Sequence, residues 1–172
     1  RTLGGTFSPH CAAIQPWYLV RGLARVLESR GVEIFEGSPV TAIERGRVAT
    51  TAGEVRAKFV VRATESFASQ MKPTKRSVVP LYSLMVATEP LSDDVWKSIG
   101  WSGRETFADG RNMVTYAQRT ADGRIAFGGR GAPYHFGSRI EDRFDRHDTI
   151  HRRLEETVRE IFPQVADARI TH

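Results

Sequence analysis

Two β-prone runs, Met113 to Thr120 and Arg124 to Gly129, are separated only by Ala121-Asp122-Gly123. That reversal constrains the fold more than any other feature of the chain. Asp-Gly supplies the positive φ that a tight hairpin needs, so the two runs pair antiparallel. Val78 to Thr88 is a long third strand for the same sheet. Farther on, Asp148 to Ile161 places Ile150, Leu154, Val158 and Ile161 on one helical face, and Pro163 stands just past the end. A helix with one apolar face needs a surface to bury it, and the sheet is the surface available. The expected fold class is therefore α+β, with an antiparallel sheet and packed helices.

The first third of the chain has a different rhythm. From Gln15 to Arg30 the apolar residues Trp17, Leu19, Val20, Leu23, Ala24, Val26 and Leu27 recur at helical spacing, headed by Pro16 and closed by Gly31. Val32 to Phe35 reads as a short strand, Gly37-Ser38-Pro39 as a turn, and Val40 to Glu44, Arg47 to Thr51 and Val55 to Arg62 as further strands. The last of these ends in Phe59-Val60-Val61, the pattern of a buried strand. Near Phe67 to Lys75 the chain turns polar and contains Pro73, which marks a crossing between two regions. The expected division is a domain over 1–70, helix and small strand group, and a second over 71–172 built on the antiparallel sheet.

Composition excludes several classes. With 172 residues, 40% hydrophobic and 26% charged, the chain can bury a core and is not a disordered tail. Its apolar runs, such as Leu81 to Ala87, fall far short of the roughly 18 to 20 residues of a membrane span, so no membrane partner is expected. The opening Arg-Thr-Leu-Gly-Gly-Thr has neither an initiator Met nor a signal peptide, and reads as part of something longer. The single cysteine, Cys11, is expected to be a small buried hydrophobe; one thiol rules out a disulfide framework and fits a reducing cytoplasm. The charge of +5 is scattered rather than clustered, so no nucleic-acid surface is expected. Only His147 and His151 have the i, i+4 spacing of metal ligands, and without an accompanying Glu they read as a solvated helix start, so no metal is expected. Gly128-Gly129-Arg130-Gly131 matches neither a P-loop nor the dinucleotide fingerprint. These glycines permit close approach of a flat ligand, or simply serve a strand end with unusual φ.

Several motifs in order give the chain a family likeness. Gly5-Thr6-Phe7-Ser8-Pro9-His10, Gln15-Pro16 opening a helix, Gly31-Val32-Glu33-Ile34-Phe35-Glu36-Gly37-Ser38-Pro39-Val40 and Val60-Val61-Arg62-Ala63-Thr64 resemble the D-amino-acid-oxidase and sarcosine-oxidase (DAO) family of FAD-dependent oxidoreductases. Thr88-Glu89-Pro90-Leu91 and the stretch from Tyr116 to Gly131 resemble its glutamylputrescine-oxidoreductase-like branch. The likeness runs along essentially the whole chain.

The resemblance implies a central piece of a flavoenzyme: part of an FAD-binding domain plus most of a substrate domain. The Gly-rich turn that binds the ADP part of FAD and the second Gly-rich cofactor segment are not in these residues, so the chain alone is expected to be inactive. By the same resemblance Val40 meets the adenine, Ala63 and Thr64 lie near the pyrophosphate, and Tyr116, Arg130 and Tyr134-His135 line the flavin's substrate side, giving Tyr116, Arg130 and His135 as candidate catalytic residues. A basic residue there can pair a substrate carboxylate or stabilise the negative charge of reduced flavin; for Arg119 and Arg130 the ordinary alternative is a strand-surface ion pair. Glu65 departs from the pattern, because many members carry Gly after Ala-Thr. The implied activity is oxidation of a C–N bond in a small-molecule amine or amino acid, with FAD as cofactor. The alternative from charge alone is a non-enzymatic basic α+β module for an anionic partner. The residues do not set the oligomeric state.

Overall fold

A computed structural model describes residues 4–111 and 113–172. The chain divides into two compact units, Ile14–Glu65 and, on either side of it, residues through Ala13 with Ser66–His172.

In the larger unit the hairpin forms as the Asp-Gly turn dictates. Strand β6 (Thr115–Arg119) pairs antiparallel with β7 (Ile125–Arg130) from Arg119↔Ile125 to Thr115↔Gly129. Gly123 takes φ 79°, and the Thr120 N–H donates to Arg124 O at 2.9 Å to close the loop. Strand β4 (Ser83–Ala87) lies on the other side of β7, and the two-residue β5 (Phe107–Ala108) beside β6, giving the order β4-β7-β6-β5. The third strand expected over Val78 to Thr88 is thus shorter at its start. Its ladder begins at Ser83↔Arg130, where Gly131 at φ 133° turns β7 away and leaves residues 78–82 nothing to pair with.

Side chains alternate across this sheet. Leu84 and Val86 of β4, Ala117 of β6, and Ile125 and Phe127 of β7 point to one face and are buried. Helix α3 (Asp148–Ile161) covers that face through Ile150, Leu154 and Val158, as the helical pattern requires, while Ile161 packs half-buried at its end. Gly129 has no side chain because Leu154 needs the space: a Cβ there would stand 2.8 Å from Leu154 Cδ2. The sequence reading did not include helix α2 (Asp93–Ile99), although Ser92 caps its first turn and Gly100, at φ 76°, closes it. Trp96 on α2 and Trp101 beyond it complete the core.

The smaller unit holds helix α1 (Pro16–Ser29) and a three-stranded antiparallel sheet of β1 (Val40–Glu44), β2 (Arg47–Thr50) and β3 (Glu54–Arg56). The Gln15 side chain accepts from Tyr18 N at 2.9 Å, and Val32 N and Gly31 N donate to Leu27 O and Glu28 O in the paired bonds of a Schellman ending. Two expectations fail here. Val32 to Phe35 forms no strand, and the run expected over Val55 to Arg62 ends its ladder at Arg56, leaving Phe59 and Val61 76% and 86% exposed. A strand exists only beside a hydrogen-bonded neighbour, and neither segment has one among the described residues. For the same reason no residue of α1 is buried, despite its clean amphipathic pattern.

Among the described residues, no helix is long and apolar enough to cross a membrane.

Candidate functional site

The face of the β4-β7-β6-β5 sheet opposite α3 is open, and alternation assigns Ser83, Met85, Tyr116, Gly128 and Arg130 to it. Met85 is 45% exposed. Tyr116 stands opposite Gly128 in register, and its ring lies flat across that glycine: a Cβ at 128 would come 2.5 Å from two ring carbons. The close approach expected at Gly128-Gly129 is therefore made from within the chain, by Tyr116 on one face and Leu154 on the other.

Across the sheet, Tyr116 Oη lies 2.7 Å from Ser83 Oγ, which in turn donates to Gly129 O at 3.2 Å. Ser83 is the Cα partner of Arg130. The exposed Arg130 side chain has no carboxylate partner among the described residues, so the ion pair considered for it is absent. Arg119 makes no ion pair either; its guanidinium stacks 4.3 Å from the Trp96 ring centroid and donates to Trp101 O at 3.5 Å. Beyond Tyr116 an open cleft of about 1020 Å³ runs past β5 to the segment before α1, lined by Phe7, Pro9, Arg104, Phe107 and Tyr116. Cys11 lines it too and is exposed, correcting the expectation of a buried thiol: none of residues 4–13 is buried, so the segment before α1 offers the thiol no core to enter.

His135 occupies a separate cluster. Its ring stacks on Phe144, centroids 3.4 Å apart and planes 6° apart, and Tyr82 meets it edge-on at 5.5 Å. No hydrogen bond joins His135 to Tyr116 or Arg130 among the described residues. Its neighbour Tyr134 accepts from Ser138 N at 3.0 Å and lies 3.2 Å from Ser138 Oγ. The Ser138 hydroxyl, helped by the Ser138 and Gly137 amides and the charge of Lys75, holds the Tyr134 phenol below the usual tyrosine range against the opposing effect of burial. The same loop is tied down by Gln70 Nε2, which donates to Ser138 O at 2.6 Å.

Val40, Ala63 and Thr64 belong to the smaller unit. Val40 opens β1, opposite Thr50, and is 46% exposed; Ala63 is exposed. Thr64 Oγ1 is buried without a hydrogen-bond partner. An orphaned hydroxyl next to the exposed Ala63 fits contact with a polar group the chain does not supply, as FAD would require. Glu65, noted above as a departure from the Gly that many members carry, follows at φ 47°, in the left-handed region that favours glycine. No group of three or more His, Cys, Asp or Glu is placed to hold a metal among the described residues.

Ser83 is the site residue that sequence reasoning missed. Nothing local distinguishes it. Only the register that sets it opposite Arg130 and diagonal to Tyr116 does so.

A family model described as FAD dependent oxidoreductase (DAO) matches residues 1–172. A probable oxidoreductase OrdL of Rhizobium meliloti (strain 1021) is 32% identical over 164 residues, covering 92% of this chain and 36% of that protein. A probable oxidoreductase OrdL of Haemophilus influenzae is 30% identical over 135 residues, covering 73% and 31%. The chain thus spans about a third of the length of these curated relatives. The crystal structure of L-proline dehydrogenase from P. horikoshii superposes with a TM-score of 0.69, over 91% of this chain and 41% of that one, at 18% identity. That likeness establishes a shared fold.

Proposed function

Because the chain belongs to the DAO family of FAD-dependent oxidoreductases, we propose that the intact protein oxidises a C–N bond of a small amine or amino acid, and that this chain supplies most of its substrate-binding surface. The observation that carries the proposal is the open sheet face, where Tyr116 and the unpaired Arg130 stand two positions apart over a backbone thinned at Gly128. Enzymes place such groups on rigid elements, and α3 stiffens this sheet from behind. Arg130 has the chemistry to pair a substrate carboxylate or the charge of reduced flavin.

The domain assignment, 1–70 with the cofactor and 71–172 with the substrate, is part of the same proposal. Val40, Ala63 and Thr64 are the residues of this chain that would hold FAD, with Thr64 Oγ1 as the free polar contact. The flavin, when bound, supplies the two-electron redox chemistry. His135 remains the third candidate catalytic residue of the proposal, its ring held by Phe144 and Tyr82. A cytoplasmic location fits a chain whose one thiol is free.

The alternative, a non-enzymatic basic module for an anionic partner, is the weaker reading because the oxidoreductase family match covers residues 1–172.

The test is a panel of amines and amino acids added without oxygen to the full-length flavoprotein. Bleaching of the flavin bands by one substrate class supports the reading. A panel that leaves the flavin oxidised, while the protein remains folded and yellow, rejects C–N oxidation.

A further inference from the structure

A proton count at Ser83 fixes what Tyr116 can offer a ligand. Ser83 Oγ is 2.7 Å from Tyr116 Oη and 3.2 Å from Gly129 O. Serine has one hydrogen, and a carbonyl oxygen can only accept. Both contacts are hydrogen bonds in one arrangement alone: Ser83 donates to Gly129, and Tyr116 donates to Ser83. The Tyr116 hydrogen is then committed, and its oxygen presents only lone pairs to the open face. The ring is held by its seat over Gly128, so this polarity is built into the sheet.

Arg130 complements it. It is the Cα partner of Ser83, lies two residues beyond Gly128 on the same face, and carries a guanidinium that can only donate. The face therefore holds an acceptor at Tyr116 and a cationic donor at Arg130.

We propose that Ser83 is a positioning residue that makes Tyr116 Oη an acceptor for the ammonium or amine N–H of a ligand, leaving the ligand's carboxylate to Arg130. The face then takes a zwitterionic amino acid in one orientation and does not hold a carboxylate at Tyr116. The proposal rests on the placement of substrate on this face, but not on the flavin chemistry.

The test uses the full-length protein labelled with [13Cζ]tyrosine, with the Tyr116 resonance identified by its loss in Tyr116→Phe. Methylammonium and acetate are titrated separately into Arg130→Ala protein, which lacks the proposed carboxylate partner beside Tyr116. With Ser83 in place, methylammonium moves the Tyr116 resonance saturably and acetate does not. Adding Ser83→Ala frees the tyrosine hydrogen to donate, so acetate now moves the resonance. Ser83→Thr, which keeps the hydroxyl, behaves like Ser83. Unchanged Tyr82 and Tyr134 resonances show that the variants are folded. A response to acetate with Ser83 in place, no response to methylammonium, or a Ser83→Ala variant that still ignores acetate overturns the proposal. Failure of the substrate panel to bleach flavin, with these shifts intact, would reject the oxidation reading and leave this one standing.

Discussion

Arg130 and Arg119 lie on neighbouring strands of one sheet, yet their surroundings assign them different work. Arg130 is exposed and has no carboxylate partner among the described residues, whereas Arg119 is laid over Trp96. In the full-length enzyme, Arg130→Ala is expected to lower kcat/KM by about 1.5 to 3 kcal/mol of transition-state stabilisation, the worth of a charge-assisted hydrogen bond. Arg119→Ala should leave kcat/KM within about twofold and lower stability by about 1 to 2 kcal/mol, the contribution of a partly desolvated cation–π contact on the buried Trp96. Steady-state kinetics and urea melts of the two variants separate these outcomes; equal kinetic losses would remove the substrate role from Arg130. Gly128→Ala tests the seat of Tyr116, because the new Cβ must displace the ring. It should cost about 1 to 3 kcal/mol, and pairing it with Tyr116→Ala should recover part of that loss, since the two sites are in contact. Strictly additive losses would show that the ring does not depend on the glycine. At this scale the sequence disclosed residue types but not their company. A Tyr, a Gly pair and an Arg in one hairpin were visible, but Ser83 lies 33 residues from Tyr116 and enters only through register.

The elements that the sequence made legible are those whose signals are local and whose partners lie within the chain. The hairpin at Asp122-Gly123 and α3, followed by Pro163, form where their patterns place them. Val32 to Phe35 and Phe59 to Val61 carry equally strong β propensity, but a strand is a pairwise object and their neighbours are not among the described residues. The same contrast separates α1 from α3. Both have 14 residues, but α3 buries Ile150, Leu154 and Val158 while α1 buries none. Helices of this length are marginal in water without tertiary packing, so in the 172-residue chain the α1 amides should exchange with deuterium orders of magnitude faster than those of α3. Comparable protection in the two helices would mean that α1 is covered. At the end of β4, Glu89 takes the Arg169 N–H at 3.0 Å and its guanidinium at 2.7 Å. The backbone N–H and then the side chain of Arg169 hold the Glu89 carboxyl below its ordinary range. A carboxyl depressed by folding stabilises the fold above its unfolded pKa, and that contribution is lost as the pH falls through its folded pKa. Glu89→Gln should therefore be less stable than the wild type near pH 7, with the gap closing as the pH falls below the ordinary glutamate value of about 4.3. A gap that persists in acid would show that the carboxylate charge contributes nothing.

At the scale of the molecule the question is whether this chain alone can hold FAD. Binding the pyrophosphate calls for backbone N–H groups at a helix N-terminus, approached through glycines. The glycines of the hairpin end are taken: the space at Gly128 is filled by Tyr116, at Gly129 by Leu154 and at Gly131 by Met113. None of the three α-helices among the described residues offers a suitable start. α1 begins at Pro16, which has no N–H, and the Gln15 side chain already caps Tyr18 N. α2 opens on Asp93 and Asp94, and α3 on Asp148, so each meets an anion with negative charge. On the proposed reading the chain contributes only the fringe of a cofactor site, the Thr64 hydroxyl and the exposed Ala63 beside it. One contact of that kind contributes about 1 kcal/mol, far from the roughly 8 kcal/mol that micromolar binding requires. The 172-residue chain, passed through gel filtration after incubation with excess FAD, should elute without flavin absorbance, and the full-length protein should elute yellow. Stoichiometric flavin on the 172-residue chain would mean that its own elements form the cradle. A full-length protein that is folded and colourless, and stays so with added FAD, would remove the cofactor from the proposed function.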